Sequence, residues 1–244
     1  MTRVRANQTA RYRAVRFGVE TLPAGLVLPR HRHTAGYATV VLAGSFEEAS
    51  FAGRFHAAPG DVLLHGAFDC HANQPLTRRA LQIVRLPWDD QPEGQFRVRD
   101  PDALARLSER DVLEAVIMLR GDLIQVPKRE LHWTDRLARA LRVEPDIKFE
   151  AWAESERLTP ETISRGFRRA FGVTPKAFRI ESRARRALMI SLRTSSPLTH
   201  IAHETGFADL PHLSRTIAAL TGASPSYWRR HGIADGLAGR VHSS

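Results

Sequence analysis

Four histidines in the N-terminal third of the chain have the type and spacing of metal ligands. His31 and His33 stand two positions apart in a run that reads as a β-strand, so both side chains point to one face. His65 and His71 follow further along the chain. Three imidazoles that converge inside a small barrel could bind a divalent metal ion. The same side chains could instead line a small-molecule pocket and offer hydrogen bonds within a mostly apolar wall.

A basic phrase occurs twice in the last third of the chain. SRGFRRAFGVTPKAFR covers residues 164–179, and SRTIAALTGASPSYWR covers residues 214–229. Ser-Arg, Gly, Pro, an aromatic residue and Arg recur at the same offsets. Arginine side chains can pair with guanine edges and hold phosphates, so the repeat points to a nucleic-acid partner.

The composition supports a polyanionic partner and limits the other classes. The 244 residues carry a formal charge of +10, and residues 147–232 hold fourteen Lys and Arg against seven Asp and Glu, a net +7. An Arg-rich genome could produce part of this excess, but its concentration in one third favours nucleic-acid binding. The polar, basic N-terminus and the lack of a long apolar run predict neither a secretion signal nor a membrane partner. The single cysteine, Cys70, fits a reducing compartment, and we expect a cytoplasmic protein.

Two kinds of element must position these residues. Residues 12–86 show short apolar runs separated by Gly and Pro, a pattern typical of a compact β-sandwich or barrel. Residues 101–141 have apolar residues near a 3.6-residue period, and a second helical region runs from about residue 149 to residue 231. The segment Leu86–Phe96 reads as a loop and a domain boundary. The predicted fold is therefore α+β with two domains: an N-terminal β-barrel (12–98), connecting helices and a linker (99–145), and a C-terminal all-α domain (146–233).

Each copy of the basic phrase follows a shorter helix and a turn, which predicts two helix-turn-helix units. In the first copy Thr159 caps the second helix and Gly172 ends it; in the second, Asp209 is the cap and Gly206 is free to adopt a left-handed conformation in the turn. A long helix with a basic side joins the copies, and its arginines are Arg179, Arg183, Arg185, Arg186 and Arg193. A helix of about twenty residues spans about 30 Å, close to the roughly 34 Å of one DNA turn. The two reading helices could therefore enter successive major grooves.

The C-terminal region resembles the AraC/XylS transcription regulators over about residues 147–232. The matching positions are Ile201, Ala202, Gly206, Phe207, Ser214, Arg215, Gly222, Pro225, Tyr227 and Arg229. The chain departs from that pattern at Ile217-Ala218, where the family has a Phe-Lys pair, and at Arg157, where a small residue is common. The second reading helix therefore has fewer cations for phosphate than the family pattern implies.

The resemblance implies roles for individual residues. The positions expected to face base edges are Glu161, Ser164 and Arg165 in the first unit and Leu210, Pro211, His212 and Arg215 in the second. The positions expected to hold phosphates are Arg168, Arg169, Lys176 and Arg229.

The N-terminal region resembles the cupin fold over residues 15–86, with its His-x-His pair, a Pro-Gly turn and a later histidine. This resemblance implies a jelly-roll barrel and, by position, a metal set of His31, His33 and His71 that leaves out His65. Tyr37 stands where metal-binding cupins have a Glu. The alternative is an effector pocket lined by His33, Tyr37 and His71.

We therefore predict a sequence-specific transcriptional regulator, not an enzyme, that binds double-stranded promoter DNA. The barrel would sense a small-molecule effector or form a homodimer, and RNA polymerase is a further expected partner. No cofactor is required, although the barrel could hold a divalent metal. Two alternatives stay open: a metal-dependent cupin enzyme with a helical appendage, and an RNA-binding or architectural protein.

Overall fold

The structure is a computed structural model that describes residues 11–12, 15–89, 92–127, 132–144 and 147–241. Side chains are described for these ranges except residues 11–12 and 234–241. The boundary predicted between residues 145 and 146 lies outside the described residues, and the three predicted domain ranges stay predictions. No helix among the described residues is long and apolar enough to cross a membrane.

The N-terminal half is built from short strands. They are β1 (Arg11–Tyr12), β2 (Gly18–Leu22), β3 (Leu28–Arg32), β4 (Tyr37–Ala43), β5 (Phe46–Ala49), β6 (Arg54–Ala57), β7 (Asp61–His65), β8 (Cys70–Pro75), β9 (Leu81–Pro87), β10 (Gly94–Arg97) and β11 (Ile124–Gln125). One sheet has the order β1-β3-β8-β5-β6, and the other has the order β11-β10-β7-β4-β9-β2. All pairings are antiparallel except that of β1 with β3.

The helices occupy the rest of the described chain. They are α1 (Pro101–Ser108), α2 (Val112–Asp122), α3 (Trp133–Val143), α4 (Phe149–Ser155), α5 (Pro160–Phe171), α6 (Pro175–Arg193), α7 (Leu198–Glu204), α8 (Leu210–Thr221) and α9 (Pro225–Val241), the last with a kink at Gly232. The predicted fold class, a β-barrel followed by helices with two helix-turn-helix units and a linker helix, is confirmed.

The segment Leu86–Phe96, predicted as a boundary loop, returns to the barrel. Gly94 is the register partner of Leu64 on β7, and β10 adds to the edge of that sheet. Phe96 and Val98 alternate as buried residues and join the core between this sheet and helices α1 and α2. The loop prediction was therefore wrong at both ends, because Leu86 and Pro87 belong to β9 and burial of Phe96 extends the sheet at β10.

Two apolar cores join the barrel to the C-terminal helices. Phe51 and Cys70 of the barrel pack in one cluster with Phe167, Phe171 and Phe178 of α5 and α6. Phe68, which is fully buried, packs against Trp228 of α9 with ring centroids 5.3 Å apart. Because these cores are shared, the barrel and the C-terminal helices are packed against each other and not merely tethered.

Candidate DNA-binding interface and barrel cavity

The first helix-turn-helix unit consists of α4, a short turn and α5. Arg157 in the turn has φ +54°, and the next residue, Leu158, donates its backbone N–H to the carbonyl oxygen of Ala153. The side chain of Thr159 then accepts a hydrogen bond from the N–H of Thr162, and Pro160 occupies the first turn of α5, as predicted. The turn and the cap together fix where the reading helix starts.

The second unit, α7 and α8, repeats this construction with one extra residue in the turn. Gly206 has φ +76°, and Phe207 donates its N–H to the carbonyl oxygen of Ala202. Asp209 caps α8 by accepting from the N–H of His212. Arg157 and Gly206 therefore occupy equivalent left-handed positions, where glycine is the less strained residue.

The positions predicted to read bases all lie on the two second helices. Each helix buries one stripe: Ile163, Phe167 and Phe171 in α5, and Leu213, Ile217 and Leu220 in α8. The predicted positions lie on the other side: Glu161, Ser164, Arg165, Pro211 and Arg215 are exposed, Leu210 and His212 are half-buried, and the His212 ring lies edge-on to Phe207. Their contact with bases stays a prediction.

The cations predicted to hold phosphates differ in their surroundings. Arg168, Arg169 and Lys176 are exposed. Arg229 is half-buried, and its guanidinium donates hydrogen bonds to the carbonyl oxygens of Ser191 and Ser196 at 3.0 and 2.8 Å. These bonds tie Arg229 to the end of α6, while its phosphate contact stays a prediction.

The linker helix α6 does not present a continuous basic side. Arg185 is buried and donates hydrogen bonds to Glu93 and to the carbonyl oxygen of Ala67, both in the barrel. Arg183 donates a hydrogen bond to the carbonyl oxygen of Gly206, and Arg179 donates one to the carbonyl oxygen of Ile147. The predicted basic side was wrong in this respect, because the barrel covers Arg185 and hydrogen bonds within the helical region hold Arg179 and Arg183.

A cavity of about 180 Å³ opens into the barrel between the two sheets. Polar side chains that line it include His31, His33, Tyr37, Glu48, His71 and Asn73. Leucines, Phe46 and Ile83 form apolar parts of the wall, and Arg16, Arg79 and Arg85 also line it. The mixture of apolar wall and converging polar groups suits a small organic ligand with hydrogen-bonding groups.

Four of the barrel's histidines, His31, His33, His65 and His71, lie together. His31 faces its register partner His71 with ring centroids 4.4 Å apart, and His33 lies 5.2 Å from His71. The ring centroids of His65 and His71 are 4.8 Å apart, and His65 stacks on Tyr37. The Tyr37 hydroxyl is 3.2 Å from Nε2 of His71. The structure thus brings together the predicted residues, and it adds His65, which the cupin resemblance left out.

Three polar residues that the sequence analysis did not single out complete this cluster. Oε2 of Glu48 lies 3.6 Å from Nε2 of His65 and accepts a hydrogen bond from Asn73. Oδ2 of Asp69 lies 3.1 Å from Nδ1 of His65. The strand pattern contained a usable signal, because Phe46 and Glu48 are two positions apart on β5 and so share one face.

Burial dominates the electrostatics of the cluster. It raises the pKa of Glu48 to about 7 and holds the pKa of His71 well below its ordinary value. Burial also disfavours the charged form of His65, but the Glu48 and Asp69 carboxylates outweigh it and raise the His65 pKa. For Asp69, burial is opposed by the hydrogen bond from His65 and by the charge of Arg185, which lower the Asp69 pKa. An ionised Asp69 carboxylate thus lies beside His65 and favours the protonated form of its ring.

Strand β3 presents its two arginines to the C-terminal helices and its histidine to the cavity. Arg30 donates a hydrogen bond to Oε2 of Glu181 at 3.0 Å and a longer one to the carbonyl oxygen of Phe171. Arg32 lies 3.5 Å from the same Glu181 oxygen and donates to the carbonyl oxygen of Leu220 at 3.1 Å. The two arginines thus reach the C-terminal ends of α5 and α8, while His31 between them lines the cavity.

Comparison with known proteins finds relatives mainly of the C-terminal helices. Residues 152–231 match the family described as a helix-turn-helix domain. The arabinose operon regulatory proteins of Salmonella typhimurium and Escherichia coli are each 32% identical over 72 residues, which cover 30% of this chain and 26% and 25% of those proteins. The chain thus matches about a quarter of the length of these curated relatives. Among solved structures, the match with ToxT from Vibrio cholerae spans 87% of this chain and 97% of the ToxT chain, at 8% identity and a TM-score of 0.43.

The fold and the exposed reading helices define a protein with a twin helix-turn-helix DNA-binding domain. That domain is of the AraC/XylS type, as the sequence resemblance implied. The matched relatives are regulators by name, which supports a regulator and gives the alternative of a metal-dependent enzyme no support.

Proposed function

We propose that the chain is a sequence-specific DNA-binding transcriptional regulator in which the barrel cavity receives a small-molecule effector. The observation that carries the proposal is the pair of helix-turn-helix units, each with its own cap, turn and exposed reading face, at the two ends of one helix. The 19 residues of α6 span about 28 Å, a separation that suits successive major grooves on one side of DNA.

The two units would contribute unequally to DNA binding. In α5 three cations are exposed, Arg165, Arg168 and Arg169, whereas Arg215 is the one exposed Lys or Arg among the described residues of α8. The first unit would therefore supply more of the salt-sensitive affinity for phosphates. The second would read through Arg215 and through apolar contacts of Leu210 or Pro211 with thymine methyl groups.

The cavity would be coupled to DNA binding through β3. A ligand that contacts His31 from inside the barrel touches the strand whose outer side carries Arg30 and Arg32. These arginines contact both reading helices at their C-terminal ends and share Glu181 of α6. An effector can shift DNA affinity only if it favours one arrangement of these parts, and β3 gives it a direct connection to them.

A homodimer would form through α2. Leu113 and Ile117 lie one helical turn apart on this helix, and they are 74% and 69% exposed. Apolar side chains this exposed on one stripe are typical of a surface that pairs with another copy. Contact with RNA polymerase and a cytoplasmic location stay predictions from the sequence.

Selection of bound sequences from a random DNA pool tests the proposed function. The full chain should enrich a site with two blocks about one helical turn apart, and the enriched duplex should shift in a gel in the presence of competitor DNA. The shift should weaken steeply as salt rises. Equal retention of all sequences, or enrichment of RNA over duplex DNA, would indicate an architectural or RNA-binding protein instead.

A further inference from the structure

Three neighbouring buried residues of the barrel each have a polar side-chain atom with no hydrogen-bond partner. These atoms are Oε1 of Glu48, Nε2 of His65 and Nδ1 of His71, in side chains whose residues are 2%, 2% and 3% exposed. Each residue offers a ligand atom within 4.8 Å of those of the other two. An unpartnered buried polar atom is costly, so three at one place point to a missing common partner.

We propose that Glu48, His65 and His71 bind a divalent transition-metal ion. Two imidazoles and one carboxylate form a donor set that Zn²⁺ and Fe²⁺ both accept, with a coordination position left open. This set differs from the three histidines implied by the cupin resemblance, because it replaces His31 and His33 with groups from β5 and β7. Glu48 and His71 also line the cavity, so the open position would be available to an oxygen atom of an effector.

The distance between Glu48 and His65 favours a metal ion over a shared proton. Oε2 of Glu48 and Nε2 of His65 are 3.6 Å apart, which is too long for a hydrogen bond. Two ligand atoms bound to one tetrahedral ion at about 2.1 Å lie about 3.4 Å apart. The observed separation is therefore close to that of two ligands on one ion.

Hydrogen bonds from the surrounding groups occupy other polar atoms of the three side chains and so orient them. Asp69 accepts from Nδ1 of His65, which leaves the lone pair of His65 on the unpartnered Nε2. Tyr37 occupies Nε2 of His71 and leaves Nδ1, while Asn73 donates to Glu48. A carboxylate–histidine–metal arrangement of this kind is common in metal sites and orients the ring.

The alternative set of His31, His33 and His71 has less to offer an ion. It contains no carboxylate to balance the charge of a divalent ion. Among the buried side-chain atoms of the described residues, the histidine nitrogens without a hydrogen-bond partner are Nε2 of His65 and Nδ1 of His71. The Glu48 set therefore explains these atoms, and the three-histidine set does not explain that of His65.

Metal binding would also tighten the contact between the barrel and the DNA-binding domain. His65 and His71 flank the turn that carries Phe68, whose ring packs on Trp228. The same turn is held by Arg185 at the carbonyl oxygen of Ala67, and a Cβ at Gly66 would collide with Glu93 and Arg185. An ion that joins both ends of this turn would restrict it.

Zinc and cobalt titrations of the metal-free full chain test the proposal without DNA. We expect one Zn²⁺ per chain by mass spectrometry of metals, and a visible d–d band from bound Co²⁺. Glu48→Gln and His65→Gln should each weaken Zn²⁺ binding by about a hundredfold or more, and Asp69→Asn by about ten- to a hundredfold. Zn²⁺ should raise the melting temperature of the unsubstituted chain and leave that of His65→Gln unchanged.

Two variants serve as controls. His33→Gln belongs to the alternative set, and His56→Gln removes an exposed histidine that lies 2.8 Å from Glu47 on the neighbouring strands. Both should retain Zn²⁺ binding within about threefold of the unsubstituted chain. Loss in His33→Gln together with retention in Glu48→Gln would overturn the proposal in favour of three histidines. If Glu48→Gln does not fold, the cobalt band of the unsubstituted chain and its loss in His65→Gln test the site instead. Failure of the unsubstituted chain to bind stoichiometric metal would overturn the proposal.

Discussion

Arg32 of the barrel donates a hydrogen bond to the carbonyl oxygen of Leu220, at the C-terminal end of the second reading helix. Its neighbour Arg30 does the same at Phe171, at the end of the first. The last carbonyl groups of a helix lack partners within the helix and carry partial negative charge, so a cation there is stabilising. One strand of the barrel therefore caps both reading helices, and the position of that strand affects both at once.

Removing the carboxylate that these two arginines share should loosen the interface. Arg30 and Arg32 have side chains only 8% and 3% exposed, whereas Glu181 is 29% exposed. Glu181→Gln should lower the free energy of unfolding by about 1–3 kcal/mol, because it leaves two buried cations with less compensation. Urea unfolding measures this change, and DNA affinity should change with it.

Arg99→Gln is the matched control for that substitution. Arg99 pairs with Asp122, but its side chain is 74% exposed, so its loss should cost less than about 1 kcal/mol. Its DNA affinity should equal that of the unsubstituted chain. Equal losses of stability in Glu181→Gln and Arg99→Gln would mean that the interdomain pairs contribute little.

Features that depend on neighbouring residues, such as helix caps and turns, could be predicted from the sequence. Features that depend on how the barrel packs against the helices could not. The caps at Thr159 and Asp209 and the left-handed Gly206 follow from residue type and spacing alone. Arg185, in contrast, looked like a solvent-facing cation, since nothing local showed that the barrel covers that side of α6. Glu48 was missed because glutamate is rarely buried. The one sequence signal for its burial was its position two residues after Phe46 on the same strand face.

A negative charge on the outer stripe of α2 should separate a dimer. Leu113→Glu and Ile117→Glu place carboxylates where the proposed pairing surface would bury them, and the sedimentation mass should fall from two chains to one. Because both side chains are exposed in the single chain, the unfolding free energy at low concentration should change by no more than about 0.5 kcal/mol. Arg106→Glu, on the exposed side of α1, is the control. An unsubstituted chain that sediments as a monomer at every concentration would rule out this dimer.

The left-handed turn of the first unit should gain stability from glycine. Arg157 is exposed and has φ +54°, and its equivalent in the second unit is already Gly206. Arg157→Gly should raise the unfolding free energy by about 0.5–1 kcal/mol, since relief of the strained backbone outweighs the greater freedom of glycine in the unfolded chain. Chemical denaturation measures the gain.

Removing the glycine at the equivalent position of the second unit should lower stability. Gly206→Ala should destabilise by about 1–2 kcal/mol, because its φ is positive and its Cβ would lie 3.0 Å from the Arg183 guanidinium. Gly121→Ala in α2 has open space around it and should stabilise by up to about 1 kcal/mol through helix propensity. If all three substitutions changed stability alike, backbone conformation would not be the cause.

Two arginines of α5 should separate the reading of sequence from the holding of DNA. Arg165→Ala should reduce affinity for the selected site by about 1–3 kcal/mol and relax preference at one base pair, because a guanine contact is lost. Arg168→Ala should weaken all sequences about equally and lower the slope of log affinity against log salt by about one, because it removes one phosphate contact. Affinities for the site and its single-base variants at several salt concentrations measure both effects, with Arg78→Ala on the barrel surface as the control. An Arg165→Ala chain that keeps its full preference at every position would assign base reading to other residues of the helix, since loss of affinity without loss of preference is what a phosphate contact gives.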